Sequence, residues 1–123
     1  MELSKQVTSL ELSKRLKELG VKQDSLFYWC HYLTIVYKVN KYVWSLFCGK
    51  VEDKVNENVS AFTVAELGEK LKETQPELDN PFPSYGLITK RWFLLTEDGS
   101  IEAKTEANAR AKTLIYLKEN KLI

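Results

Sequence analysis

Leu26-Phe27-Tyr28-Trp29-Cys30-His31-Tyr32-Leu33-Thr34-Ile35-Val36-Tyr37 is followed four residues later by Tyr42-Val43-Trp44-Ser45-Leu46-Phe47-Cys48. Aromatic and β-branched side chains dominate both runs, and these favour a pleated strand over a helix. Lys38-Val39-Asn40-Lys41 between them reads as a turn, and Gly49 ends the second run. The pair therefore reads as an antiparallel hairpin. Apolar side chains fall on both alternating faces of the first run, so part of it should be covered on both sides.

Helices flank this hairpin. Upstream, Thr8-Ser9-Leu10-Glu11 has the form of a capping box, Leu12, Leu16 and Leu19 recur at helical spacing, and Gly20 supplies a left-handed stop. Downstream, residues 50–60 are polar and read as a surface loop. Thr63-Val64-Ala65-Glu66 is a second capping box, opening a helix with an apolar stripe of Val64, Leu67 and Leu71. Pro76, Pro81 and Pro83 mark an irregular connection. Tyr85 to Ile88 and Arg91 to Leu95 read as strands, Asp98-Gly99 as a hairpin turn, and Ile101 to Ala103 as a short returning strand. Thr105 caps a last helix whose inner face carries Ala107, Ala111, Leu114, Ile115 and Leu122. This order implies an α+β fold: a small antiparallel sheet of two hairpins packed with about three α-helices, in a single domain over residues 1–123.

The composition agrees. The chain has 123 residues, 44% of them hydrophobic and 28% charged, a length that suits one domain and an apolar content too high for a disordered chain. Eighteen Lys and Arg against 17 Asp and Glu leave a net charge of +1, which argues against diffuse electrostatic binding to nucleic acid or anionic membrane. Met1 to Gln6 lacks the apolar core of a secretory signal. The longest apolar run is well short of the roughly 20 residues a spanning helix needs. A soluble, intracellular protein with no membrane partner is expected, its cysteines reduced.

Few residues offer chemistry. Cys30, His31 and Cys48 are three potential metal ligands where a structural zinc wants four, and the adjacent Cys30 and His31 point to opposite faces of a strand. His31 is the only histidine, so any nucleophile–base pair must use it, with Cys48 the candidate across the hairpin. The carboxylates lie in polar stretches or at helix starts, and there is no phosphate-cradling glycine loop. The reading is of a non-enzymatic protein with no cofactor, metal or catalytic residue. Lys38 and Lys41 beside Tyr37 and Tyr42, and Lys90 and Arg91 beside Trp92 and Phe93, interleave cations with rings as nucleic-acid surfaces do. The aromatic surplus between Phe27 and Phe47 is the stronger signal, because Trp and Tyr are enriched at protein contacts. It nominates Tyr28, Trp29, Tyr32 and Trp44 as partner-binding residues.

Three segments carry a family resemblance: Leu19-Gly20-Val21-Lys22-Gln23-Asp24-Ser25-Leu26-Phe27-Tyr28-Trp29, then Ala61-Phe62-Thr63-Val64-Ala65-Glu66-Leu67-Gly68, then Thr105 to Lys112 with Leu114-Ile115-Tyr116-Leu117 and Asn120-Lys121-Leu122-Ile123. With these the chain resembles small uncharacterised proteins of bacteriophages and prophages, many in Gram-positive hosts. The resemblance implies a phage or prophage origin and a place in the bacterial cytoplasm, and it brings no site residue. The resulting expectation is a protein–protein interaction module that contacts a host or phage protein or forms a homodimer. The alternative is a nucleic-acid-binding accessory protein using Lys38, Lys41, Lys90 and Arg91.

Overall fold

The computed structural model describes residues 2–51, 55–74, 83–87, 89–96 and 99–120. Its elements run α1 (Leu3–Gln6), α2 (Leu10–Glu18), β1 (Phe27–Val36), β2 (Val39–Cys48), β3 (Val55–Ala61), α3 (Val64–Thr74), β4 (Ser84–Gly86), β5 (Arg91–Thr96), β6 (Gly99–Ala103) and α4 (Glu106–Glu119). The class is α+β. The strands form two antiparallel three-stranded sheets, ordered β2-β1-β3 and β4-β5-β6, where the sequence reading has one sheet of two hairpins.

The extra strand is β3, which falls in the stretch read as a surface loop. Val55–Ala61 pairs with β1 from Phe27↔Ala61 to Tyr32↔Val55, with a register shift between His31 and Tyr32. Its sequence is mostly polar, so no period-two signal announces it; the ladder to β1 holds it, and its end, Val59 to Ala61, is buried. The first hairpin also turns more tightly than its sequence suggests. β1 and β2 pair without interruption from Phe27↔Cys48 to Val36↔Val39, leaving only Tyr37 and Lys38 in the turn. Both have positive φ, 49° and 64°. Positive φ at both central residues is the type I′ signature, in which Asn-Gly is the usual pair.

The cap of α2 is Ser9 rather than Thr8: its side chain accepts the Leu12 amide. Thr8 is drawn into the core instead. Val7 bridges Thr63, the Thr8 amide donates to the Phe62 carbonyl, and the Phe62 amide donates to Thr8 Oγ1 at 3.1 Å. Thr8 and Ser13 hydroxyls lie 2.6 Å apart, and Ser13 Oγ donates to the Ser9 carbonyl at 2.7 Å. The protons thus run one way, from Phe62 N–H to Thr8 to Ser13 to Ser9, so the buried Thr8 and Ser13 hydroxyls both have an acceptor. The second capping box forms as read: Glu66 N–H donates to Thr63 Oγ1 and Thr63 N–H to Glu66 Oε1. Thr105 caps α4 by accepting the Asn108 amide.

The helix α4 is central. It touches α2, α3, β5 and β6, and its buried residues, including Ala109 and Thr113 as well as Ala107, Ala111 and Leu114, lie around more than the single face expected of it. Its alanines admit the close approach of neighbours on several sides. Leu16, Phe62, Leu67, Leu71 and Leu114 fill the core between the helices. Leu122, Ile88, Asp98 and the whole of the connection from Pro76 to Pro81 lie outside the described residues.

Candidate interaction surface

The two faces of the β2-β1-β3 sheet follow from its register. Phe27, Trp29, His31, Leu33 and Ile35 share one face with Leu46, Trp44 and Tyr42. The segment leading into α2, and α2 itself, cover the base of that face. The Trp29 indole donates to the Thr8 carbonyl at 3.0 Å, Lys14 Nζ sits 4.6 Å from the Trp44 ring centroid, and Lys17 pairs with Glu57. Tyr28, Cys30 and Tyr32 lie on the opposite face, where the chain around Gln23 and Val51 packs against Tyr28 and Cys30. Tyr28 Oη donates to the Gln23 carbonyl, Cys30 Sγ to Asn58 Oδ1, and Asn58 Nδ2 to the Val51 carbonyl.

Of the four nominated contact residues, Tyr28 is buried at 7% exposure in the chain's own packing. Trp29, Tyr32 and Trp44 are half-buried, with Tyr32 edge-on to Phe47 and Trp44 stacked on His31 at 4.7 Å. These rings build the base of the hairpin. The open apolar surface lies beyond them, past the Tyr32↔Val55 pair, where among the described residues β1 and β2 continue as a two-stranded ribbon. There Leu33, Ile35, Val36, Tyr37, Val39 and Tyr42 are all exposed, Ile35 at 69%, Val39 at 63% and Tyr37 at 96%. Scattered exposed apolar residues need no explanation, but here six gather on one ribbon tip: Leu33, Ile35 and Tyr42 on one face, Val36 and Val39 on the other, and Tyr37 in the turn. The sequence contains these residues but not their exposure. That depends on where β3 stops and on a Tyr-Lys turn with no turn-forming residue to announce it.

The basic candidates divide between the sheets. Lys38 and Lys41 stand exposed on the ribbon tip, whereas Lys90 and Arg91 sit at the start of β5, with Arg91 3.9 Å from Glu102. The potential chemical groups are also separated. His31 opposes Trp44 and Cys48 opposes Phe27, so the Cys48–His31 juxtaposition across the hairpin does not form; they lie four residues, about 13 Å, apart along the ladder. Burial pushes the buried Cys30 thiol up, away from the reactive thiolate. Among the described residues no three His, Cys, Asp or Glu side chains group as metal ligands, and no helix is long and apolar enough to cross a membrane.

A concavity of about 490 Å³ opens where the starts of α3 and α4 meet α1, lined by Lys5, Val64, Trp92, Lys104 and Glu106 among others. No family model, curated protein or solved structure matches the chain.

Proposed function

We propose that this chain is a non-enzymatic interaction module of phage or prophage origin, acting in the bacterial cytoplasm, and that the β1–β2 ribbon is its contact arm. One observation carries the reading: among the described residues the ribbon runs past its third strand and presents six exposed apolar side chains. The turn supports it. Tyr37 and Lys38 occupy a left-handed conformation that costs non-glycine residues roughly 1–2 kcal/mol each, and strain kept at an exposed tip points to a use for the side chains held there.

Exposed Tyr37, Lys38, Lys41 and Tyr42 also give the nucleic-acid reading a foothold on the same tip. The aliphatic residues weigh against it. Leu33, Ile35, Val36 and Val39 neither stack on bases nor bind phosphate, and nucleic-acid interfaces are more polar and more basic than this.

The test is affinity capture of the tagged protein from a bacterial host lysate, with and without nuclease, comparing the native chain with Ile35→Lys and Tyr37→Ser. A stoichiometric protein that survives nuclease and is lost from both variants is the expected result. Recovery abolished by nuclease moves the assignment to nucleic acid, and capture unaffected by both substitutions removes the arm from the reading.

A further inference from the structure

The two edges of the first sheet are treated differently. On β3, the Asn58 carbonyl accepts from Lys17 Nζ, the Ser60 amide donates to Gln23 Oε1, and Phe62 just beyond pairs with Thr8. Side chains thus occupy that edge, as natural sheets do to prevent strand addition. These bonds also fix which way each backbone group points. Asn58 and Ser60 face outward, so Glu57, Val59 and Ala61 bond β1 through His31, Trp29 and Phe27. The alternate residues of β1, Tyr28 to Val36, then bond β2 through Phe47, Ser45, Val43, Lys41 and Val39. The amides and carbonyls of Asn40, Tyr42, Trp44, Leu46 and Cys48 therefore point away from the sheet. None of them has a hydrogen-bond partner among the described residues. β2 contains no proline, no bulge against β1, and Lys41 as its one charge.

Resting on the reading of the ribbon as an interaction arm, we propose that its occupant is a second copy of this chain. The two β2 strands pair antiparallel about a two-fold axis at Trp44. This joins the sheets into one of six strands, β3-β1-β2-β2-β1-β3. Register centred on Trp44 brings all five outward residues of each copy into hydrogen-bonded pairs: Trp44 with Trp44 of the partner subunit, Tyr42 with the partner's Leu46, and Asn40 with the partner's Cys48. That makes about ten backbone hydrogen bonds, the number a typical protein interface carries.

Two features select a copy rather than a foreign strand. The edge is self-complementary: Trp44 meets Trp44 of the partner subunit, Tyr42 meets the partner's Leu46, and Lys41 falls opposite the partner's Phe47, so its charge never meets its own image. The overhang is also completed. A two-stranded ribbon is marginally stable alone, and the antiparallel copy lays the base of the partner's β2 beside each tip, supplying the third strand that β3 does not.

Size by light scattering, together with amide exchange, tests this. The native chain should have twice the chain mass, and the Tyr42, Trp44 and Leu46 amides should exchange as slowly as those of Val43 and Ser45. Tyr42→Pro breaks no hydrogen bond within the monomer, taking away the outward N–H and the exposed ring beside His31, so it should halve the mass while the far-ultraviolet circular dichroism keeps its strand signal. Should that variant misfold, Trp44→Glu and Trp44→Lys place like charges on the axis. Each alone should be monomeric, and their mixture should recover the dimer. A native monomer, or a dimer in which the outward amides exchange freely and the Trp44 variants remain dimeric, overturns the pairing. A monomer that still retains a protein on its arm in the capture experiment overturns the self-pairing alone; one that retains none overturns both readings.

Discussion

Cys30 and Cys48 show how one residue type takes two characters from place alone. Cys30 lies under the segment around Val51 with its thiol donating to Asn58, whereas Cys48 is exposed at the end of β2. A thiol-specific colorimetric reagent should therefore consume one thiol at once in the native protein and the second only as the fold opens. Equal rates for both would show that Cys30 is not sealed. Burial raises the Cys30 pKa, so the folded state holds its proton more tightly than the unfolded chain does. This contribution to stability is complete below the unfolded thiol value of about 8.5 and is lost as pH rises through and above it. The same residue scale explains Thr8. Its hydroxyl matches the capping pattern, but the Phe62 amide needs a buried acceptor, and Ser9 is adjacent and free to cap the helix.

At the scale of elements, the ribbon is the part whose local sequence conflicts with its conformation. Replacing Lys38 by Gly places a residue without a Cβ at φ 64°. The substitution should stabilise the fold by up to about 1 kcal/mol, strain relief being partly offset by the greater freedom of glycine in the unfolded chain. Urea unfolding of Lys38→Gly measures this, and a loss of stability would mean that the Lys38 side chain makes a contact worth more than the strain. The helices show no such conflict. At α3 the capping box, the apolar stripe and the packing agree, and Glu66 adds a tie to the sheet by accepting the Leu26 amide through Oε2.

At the scale of the molecule, α4 is the shared support. It packs against α2 and α3 on one side and β5 and β6 on another, so the second sheet is coupled to the helical core through it. Leu114 is 1% exposed within that core. Leu114→Ala should cost about 2–5 kcal/mol. Trp92 reports on the second sheet, and Trp29 and Trp44 on the first. Fluorescence of single-tryptophan variants should therefore give coincident unfolding midpoints, shifted together by Leu114→Ala. Midpoints that separate would show the sheets to be independent. The ion pairs contribute little to this balance. Arg15 with Glu18 and Glu119, and Lys17 with Glu57, are exposed enough for water and salt to screen them.

Features that depend on neighbours a few residues apart can be read from the amino acids without the fold. The helical spacing of Leu12, Leu16 and Leu19, the Gly20 stop with φ 85°, the Thr63–Glu66 box, the Thr105 cap and the strand character of both aromatic runs are local regularities, and each appears in the fold. Tertiary structure alone decided the rest. The strand β3 exists because β1 offers it a ladder, not because Val55 to Ala61 alternates. Thr8 leaves its helix because Phe62, 54 residues away, needs an acceptor. Tyr28, Trp29, Tyr32 and Trp44 became the hairpin's base, while Leu33, Ile35, Val36, Tyr37, Val39 and Tyr42 became its open surface. Both groups come from the same short stretch of sequence and both carry large apolar side chains. Only the point at which β3 ends, and the positions of α2 and the Val51 segment over the sheet, separate the covered side chains from the exposed ones.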